Sequence, residues 1–223
     1  MRREADMKTV YFVRHGQSKG NVEPVFQAAD SPLTEEGKRQ AHLIAKRCAK
    51  LPIQIILAST QLRAKETAEI ITGKTGTLLE FSDLFRERRK PSALNGKSFS
   101  DPAANDLNEQ WVKSLLDEGP RAGDGENFAD VSQRAGKALD FLLKRTEDEI
   151  LVVTHGVFMR YIVARAMYGE ELTGRDFSKL AQSMVMENTG ITVLRHDAPV
   201  NILAWGELAP WQLWVWNDHA HLG

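Results

Sequence analysis

Short, nearly continuous apolar runs alternate along the chain with segments whose apolar residues recur every three to four positions. TVYFV at 9–13, IQIILA at 53–58 and ILVVT at 150–154 are rich in β-branched residues, as expected of strands covered on both faces. Between the first two, Thr34 is placed to cap a helix whose face carries Ala41, Ile44, Ala45 and Cys48 and which Leu51 and Pro52 end; only Gly37 speaks against helix there. A second helix follows Ser59 and Thr60, bearing Leu62, Ala64, Ala68, Ile70 and Ile71, and a third strand is predicted at 77–81.

From Asp83 to Gly125 the periodicity breaks around Pro91, Pro102 and Pro120, with one short helix predicted at about 103–118. The stretch 88–127 reads as an insertion or lid. Regular order returns in a helix over about 126–145, where Phe128, Val131, Ala135, Ala138, Leu139 and Leu142 share a face, and in another opened by Gly156 with Met159, Ile162, Val163 and Ala166 inward. The tail predicts strands near 183–187, 190–195, 202–207 and 211–216, its tryptophans 205, 211, 214 and 216 serving packing. Strands joined by helices of this length imply an α/β fold, three-layer α/β/α with a largely parallel central sheet, over a single domain spanning 1–223.

Composition narrows the function classes. Lys plus Arg number 29 against 30 Asp plus Glu, so there is no basic excess to mark a nucleic-acid partner. No run approaches the ~20 apolar residues that cross a bilayer, and MRREADMK at the start lacks a secretory h-region, so a cytoplasmic protein without membrane association is expected. Cys48 is the only cysteine, which excludes an internal disulfide and a cysteine-rich metal site.

In an α/β sheet the ligand lies beyond the carboxyl ends of the strands. Arg14 and His15 follow the first strand, Ser59 to Arg63 the second, and His155 and Gly156 the strand ILVVT. Arginine forks match the nonbridging oxygens of a phosphate monoester, and neighbouring cations keep an imidazole unprotonated and nucleophilic. Arg63, in a helix first turn where the dipole disfavours a cation, calls for an anionic partner. His15, in the turn RHGQS, is the better nucleophile and His155 the better donor to the transferring oxygens.

RHGQSKGN at 14–21, STQLRAKETA at 59–68, an acid within LFRERR at 84–89 and THG at 154–156 together resemble the histidine phosphatase superfamily, its phosphoglycerate-mutase-like branch, and the tail NDHAHL resembles the ends of many members. The resemblance implies that His15 carries the phosphoryl group, that Arg14, Arg63 and His155 bind it, and that Glu87 donates and later accepts the proton. It also implies that Asn21 helps hold phosphate, with Ser18 or Gln17 beside it. The triplet Gly125, Glu126, Asn127 lacks the hydroxyl that the family has at its third place.

Three functions stand as alternatives: a phosphomonoester hydrolase acting on a small phosphorylated metabolite, a mutase-type phosphotransferase, and a silent phospholigand or protein-binding module. The stretches VEPVFQAADSPLTEEG and RRKPSALNG depart from the family's mutases and favour hydrolysis. Arg86, Arg88, Arg89 and Lys90 form a basic run beside Glu87, a rim either solvated or facing a second anionic group of the substrate. No cofactor or metal is required. His219 and His221 do not define a metal site, and exposed tail aromatics permit a homodimer without demanding one.

Overall fold

The computed structural model describes residues 7–26, 30–197, 201–202, 206–207 and 209–223; the reading of the amino terminus before Met7 and of Trp205 lies outside the described residues. In chain order the elements are β1 (Lys8–Arg14), α1 (Lys19–Val22), α2 (Glu35–Cys48), β2 (Ile55–Ala58), α3 (Leu62–Thr75), β3 (Leu79–Phe81), α4 (Pro102–Leu116), α5 (Phe128–Leu143), β4 (Glu149–Thr154), α6 (Gly156–Tyr168), α7 (Gly174–Ser183), β5 (Ile191–His196), β6 (Asn201–Ile202), β7 (Gly206–Glu207) and β8 (Trp211–Asp218).

The central sheet runs β3-β2-β4-β1-β5-β8. Its β3-β2-β4-β1 half is parallel and both pairings of β5 are antiparallel, so the sheet is mixed and mostly parallel in strand direction. The strands alternate between two cores, which is why their sequences read as unbroken apolar runs. Val10, Phe12, Leu57 and Val152 pack under α5 and α6. Val13, Ile56, Ala58, Leu151 and Val153 meet Ile44, Ala45 and Cys48 of α2 and Ala64, Ala68 and Ile71 of α3. Full burial of one such large aliphatic side chain stabilises by about 1.5–3 kcal/mol, which places the three layers by apolar pattern alone.

The 88–127 segment is built onto the first of these layers. α4, begun by Asp101 accepting from Ala104 N with proline at N1, packs on α5 and α7 and buries Ala104, Trp111 and Leu115 in the same core.

Two tail expectations are corrected. The strand predicted at 183–187 does not form: α7 ends at Ser183, and the residues after it run as extended chain toward the site, with the Met184 and Met186 carbonyls accepting from Arg160 and Arg14. Arginine side chains take the bonds that a neighbouring strand would have supplied. In place of one strand at 202–207 there are β6 and β7, paired antiparallel. Of the tail tryptophans, Trp211 is buried, whereas Trp214 is 57% exposed with the Arg195 guanidinium 4.0 Å from its ring. No helix among the described residues is long and apolar enough to cross a membrane.

Candidate active site

Register brings the parallel strand ends to one edge: Arg14 pairs with Thr154, and Ala58 with Val153. The residues just past each strand converge there. His15 continues β1, its N–H donating to the Thr154 carbonyl at 2.9 Å. Arg63 sits in the first turn of α3, buried at 3% exposure, and His155 is the N-cap residue of α6.

The loop that presents His15 depends on two glycines. A Cβ on Gly16 would lie 2.5 Å from the Gly37 carbonyl oxygen, and one on Gly37 would lie 1.9 Å from that of Gln17, so loop and helix α2 meet backbone to backbone. Gly37, unfavourable in isolation as a helical residue, is thus explained by close approach. Helix α3 holds the loop from the other side, where Thr67 Oγ1 accepts from Gly16 N at 3.1 Å while donating to the Arg63 carbonyl at 2.7 Å.

His15 is fully enclosed, and its two ring nitrogens have unlike neighbours. Nδ1 is 2.7 Å from the Gly16 carbonyl, which only accepts, and Nε2 is 3.1 Å from Arg63 Nε, which only donates. The ring is therefore assigned as the neutral Nδ1–H tautomer with its Nε2 lone pair toward the arginine. Burial, then the charges of Arg63 and Arg14, push its pKa well below the usual imidazole range. His155 stands with ring centroid 5.1 Å from that of His15, and burial and then Arg63 lower its pKa strongly as well. Its Nε2 is 2.8 Å from Ser59 Oγ, and its Nδ1 is buried without a partner.

Arg14, His15, Asn21, Arg63 and Glu87 line one cavity of about 140 Å³, together with Arg160. Arg14 donates from Nη1 to the Met186 carbonyl, and its Nε is buried without a partner, as is Nη1 of Arg63. Gly156 lets Arg14 in, since a Cβ there would press within 3.3 Å of Arg14 Nε. Unpaired guanidinium N–H groups beside a neutral imidazole form a socket for an oxyanion. Glu87 spans the N-terminus of α6: Oε2 accepts from Val157 N at 3.2 Å, and Oε1 from Phe158 N at 3.0 Å and from Arg88 N at 2.9 Å.

Not every expected residue reaches the cavity. Ser18 is fully buried and its hydroxyl donates to Asn21 Oδ1 at 2.9 Å, orienting that side chain. The Gln17 side chain turns to α2, its Oε1 accepting from Thr34 Oγ1 at 2.8 Å. Neither lines the 140 Å³ cavity, nor does His155, which is fully buried behind His15. Arg86, Arg88, Arg89 and Lys90 instead line a larger adjoining cavity of about 500 Å³, with which the smaller one shares Arg63, Glu87 and Val157. Among the described residues no three His, Cys, Asp or Glu side chains group to hold a metal ion.

Sequence reasoning missed Arg160 and Gln61. Arg160 lines the phosphate-sized cavity, its Nε tied to the Met184 carbonyl at 2.9 Å; it stands four residues after Gly156, hence on the same helical face, and that spacing was the available signal. Gln61 Oε1 accepts from Arg63 Nη2 at 3.2 Å and from Glu87 N at 3.0 Å, joining the two. Its position lay within the strand-end stretch 59–63, but nothing there singled out its side chain.

The family model of the histidine phosphatase superfamily (branch 1) matches residues 10–206. The probable phosphoglycerate mutase GpmB of Erwinia tasmaniensis is 33% identical over 162 residues, which cover 71% of this chain and 74% of that protein. Its counterpart in Yersinia pestis is 34% identical over 155 residues, 68% and 71% of the two chains. Among solved structures, YhfR of Bacillus stearothermophilus superposes with a TM-score of 0.78 at 28% identity, over 96% of this chain and 99% of that one. A mycobacterial glucosyl-3-phosphoglycerate phosphatase gives a TM-score of 0.74 at 22% identity over 95% and 99%, a likeness of fold.

Proposed function

The chain belongs to the histidine phosphatase superfamily, branch 1, and from that membership we propose that it hydrolyses phosphate monoesters of small metabolites through a phosphohistidine on His15. The observation that carries this reading is the His15 ring: neutral, buried, fixed in tautomer, its Nε2 lone pair held by Arg63 Nε.

Arg14, Arg63 and Arg160 clamp the phosphoryl oxygens and the side chain of Asn21 adds a contact, while His155 packs behind His15 with ring centroids 5.1 Å apart. As the phosphate takes over the Arg63 guanidinium, His15 Nε2 attacks phosphorus and the P–O bond to the leaving group breaks. Glu87 lines both cavities, hence the junction where the bridging oxygen sits, and gives that oxygen its proton. Ionised, it then takes a proton from the water that displaces phosphate from His15. The arginines neutralise the phosphoryl charge that metal ions neutralise in other phosphoryl-transfer sites, so the reaction needs no added metal.

Similarity to proteins named probable phosphoglycerate mutase keeps transfer back to a sugar acid as the second reading. A mutase shields its phosphoenzyme from water around a small substrate; the 500 Å³ cavity beside Glu87 favours water as acceptor. Rapid quench of the protein with 4-nitrophenyl phosphate and a chelator, then peptide mapping at alkaline pH, should find an acid-labile phosphoryl group on His15 that His15→Ala lacks. Turnover with inversion at phosphorus, or full activity of His15→Ala, would remove the proposal. Preferential transfer to added phosphoglycerate would establish the mutase, and binding of phosphate without turnover the silent module.

A further inference from the structure

The leaving-group side of the site is unlike the phosphate side in size and lining. About 500 Å³ lies beyond Glu87, within the range that accommodates drug-sized ligands (~300–1,000 Å³). Residues 24–26 and 96–99 close one wall by backbone pairing, with Phe26 N donating to the Lys97 carbonyl at 2.9 Å and Phe99 N to that of Pro24 at 3.0 Å. On this wall Phe26 and Phe99 meet edge to face at 4.9 Å, and Phe99 keeps 49% exposure. Trp111 also lines the cavity, its indole N–H committed to the Glu126 carbonyl at 2.9 Å.

The four basic side chains of the rim are not equivalent. Arg86 lies 3.8 Å from Asp83, and Arg89 donates to the Asp124 carbonyl at 3.0 Å. Arg88 stacks its guanidinium 4.8 Å from the Trp111 ring; its Nε is buried without an acceptor and no acid among the described residues pairs with it. Lys90 is half-buried, its pKa pushed down to about 8 by burial and then by the Arg63 charge, so an anion beside it would favour its ammonium form. The phosphoryl group has Arg14, Arg63 and Arg160 in the smaller cavity, whereas Arg88 and Lys90 line only the larger one.

We propose that the substrate's leaving group carries a planar ring and a second anionic group, the ring packing on Phe99 and the anion held by Arg88 and Lys90. This rests on the phosphatase reading above. Aromatic walls favour a flat apolar partner, and a carboxylate or second phosphate pairs with the Arg88 guanidinium, which lines the cavity without an acid of its own among the described residues.

Three monoesters of similarly basic alcohols separate the contributions: benzyl phosphate has the ring, 3-phosphoglycerate the anion, and 4-carboxybenzyl phosphate both. The wild-type kcat/KM for 4-carboxybenzyl phosphate should exceed each of the others by at least tenfold. Arg88→Met and Lys90→Met should each shrink its advantage over benzyl phosphate several-fold, and Phe99→Ala its advantage over 3-phosphoglycerate. Each ratio is taken within one sample, so partial misfolding cancels. Equal kcat/KM values in the wild type, or ratios untouched by the substitutions, would overturn the substrate class alone if 4-nitrophenyl phosphate is still hydrolysed. No hydrolysis of that activated ester would overturn the phosphatase reading with it.

Discussion

Arg63 Nε donates to Nε2 of His15 at 3.1 Å, so a group to which the proposed mechanism gives the phosphate also holds in place the lone pair of the proposed nucleophile. The opposite ring nitrogen is locked on the Gly16 carbonyl. In the proposed mechanism an incoming phosphate competes for the guanidinium, and the lone pair is released where the phosphorus arrives. Until then the ring stays unprotonated, because a proton on Nε2 would face Arg63 with no acceptor.

With burial and two arginines holding its pKa well below the usual imidazole value, His15 should remain the Nδ1–H tautomer at pH 6, where a free histidine is mostly charged. Nitrogen-15 NMR of the imidazoles reads this directly, and an Nε2–H signal or titration near 6.5 would refute it. The same shift sets a stability trend. The unfolded chain takes up protons at about pH 6.5 that native His15 and His155 refuse, so stability is at its full value above that pH and falls as the pH drops below it. Thermal melts from pH 7.5 to 5 should show the decline.

A pair of glycines gives opposite signs for one substitution. Gly73, in α3, has nothing within 4 Å of the place a Cβ would take, so Gly73→Ala should stabilise by ~0.5–1 kcal/mol through helix propensity. Gly37→Ala gains the same propensity but drives a methyl into the Gln17 carbonyl, and should destabilise by ~1–3 kcal/mol while displacing the loop that carries His15. Urea denaturation of both, with kcat/KM on one aryl phosphate, tests the contrast. A stabilised, fully active Gly37→Ala would show that the loop does not depend on this contact.

Much of the fold and site was legible because the signals are local. Apolar runs buried on both faces gave β1, β2 and β4, and the carboxyl-end rule then gathered Arg14, His15, Arg63 and His155. The features that escaped depend on contacts remote in sequence. Gln61 joins Arg63 to Glu87 by geometry alone, and α7 was missed because Phe177 is its one large fully buried apolar residue, too little for a helical period. Gln17 and Ser18 sit in the motif loop but support it from behind, a distinction no spacing encodes.

Glu87 should reveal its role through the leaving group. Glu87→Gln keeps the size but cannot donate a carboxyl proton, and it leaves one oxygen where two now accept separately from Val157 N and Phe158 N. With benzyl phosphate, whose alkoxide needs protonation, kcat should fall by ~10²- to 10⁴-fold. With 4-nitrophenyl phosphate the loss should be smaller by at least tenfold. An equal loss on both esters would assign Glu87 to charge or loop geometry instead of proton transfer.

The last prediction reaches the site from the chain's tail. Thr189 is buried with φ at +59°, a left-handed conformation that costs a β-branched residue ~1–3 kcal/mol. It is held by the groups it serves: its N–H donates to the Arg14 carbonyl at 3.0 Å, and the neighbouring Asn188 Nδ2 donates to the His15 carbonyl at 2.8 Å. Thr189 Oγ1 gives its proton to the Asn188 carbonyl at 2.7 Å, so it accepts at 3.0 Å from Nε2–H of His221. His221, one of the two tail histidines that the sequence left without a role, thereby braces the backbone of both Arg14 and His15. Its pKa is pushed down to about 4, by burial first and then by Arg47, so the ring stays neutral through neutral pH and its contribution to stability declines as pH falls from about 6.5 toward 4. His221→Leu should therefore lower kcat several-fold on any monoester at pH 7 with little change in KM, and His221→Gln, which retains an N–H donor, should recover part of the loss. A His221→Leu protein that melts at a lower temperature but turns over at the wild-type rate would limit the tail to stability and separate it from the catalytic loop.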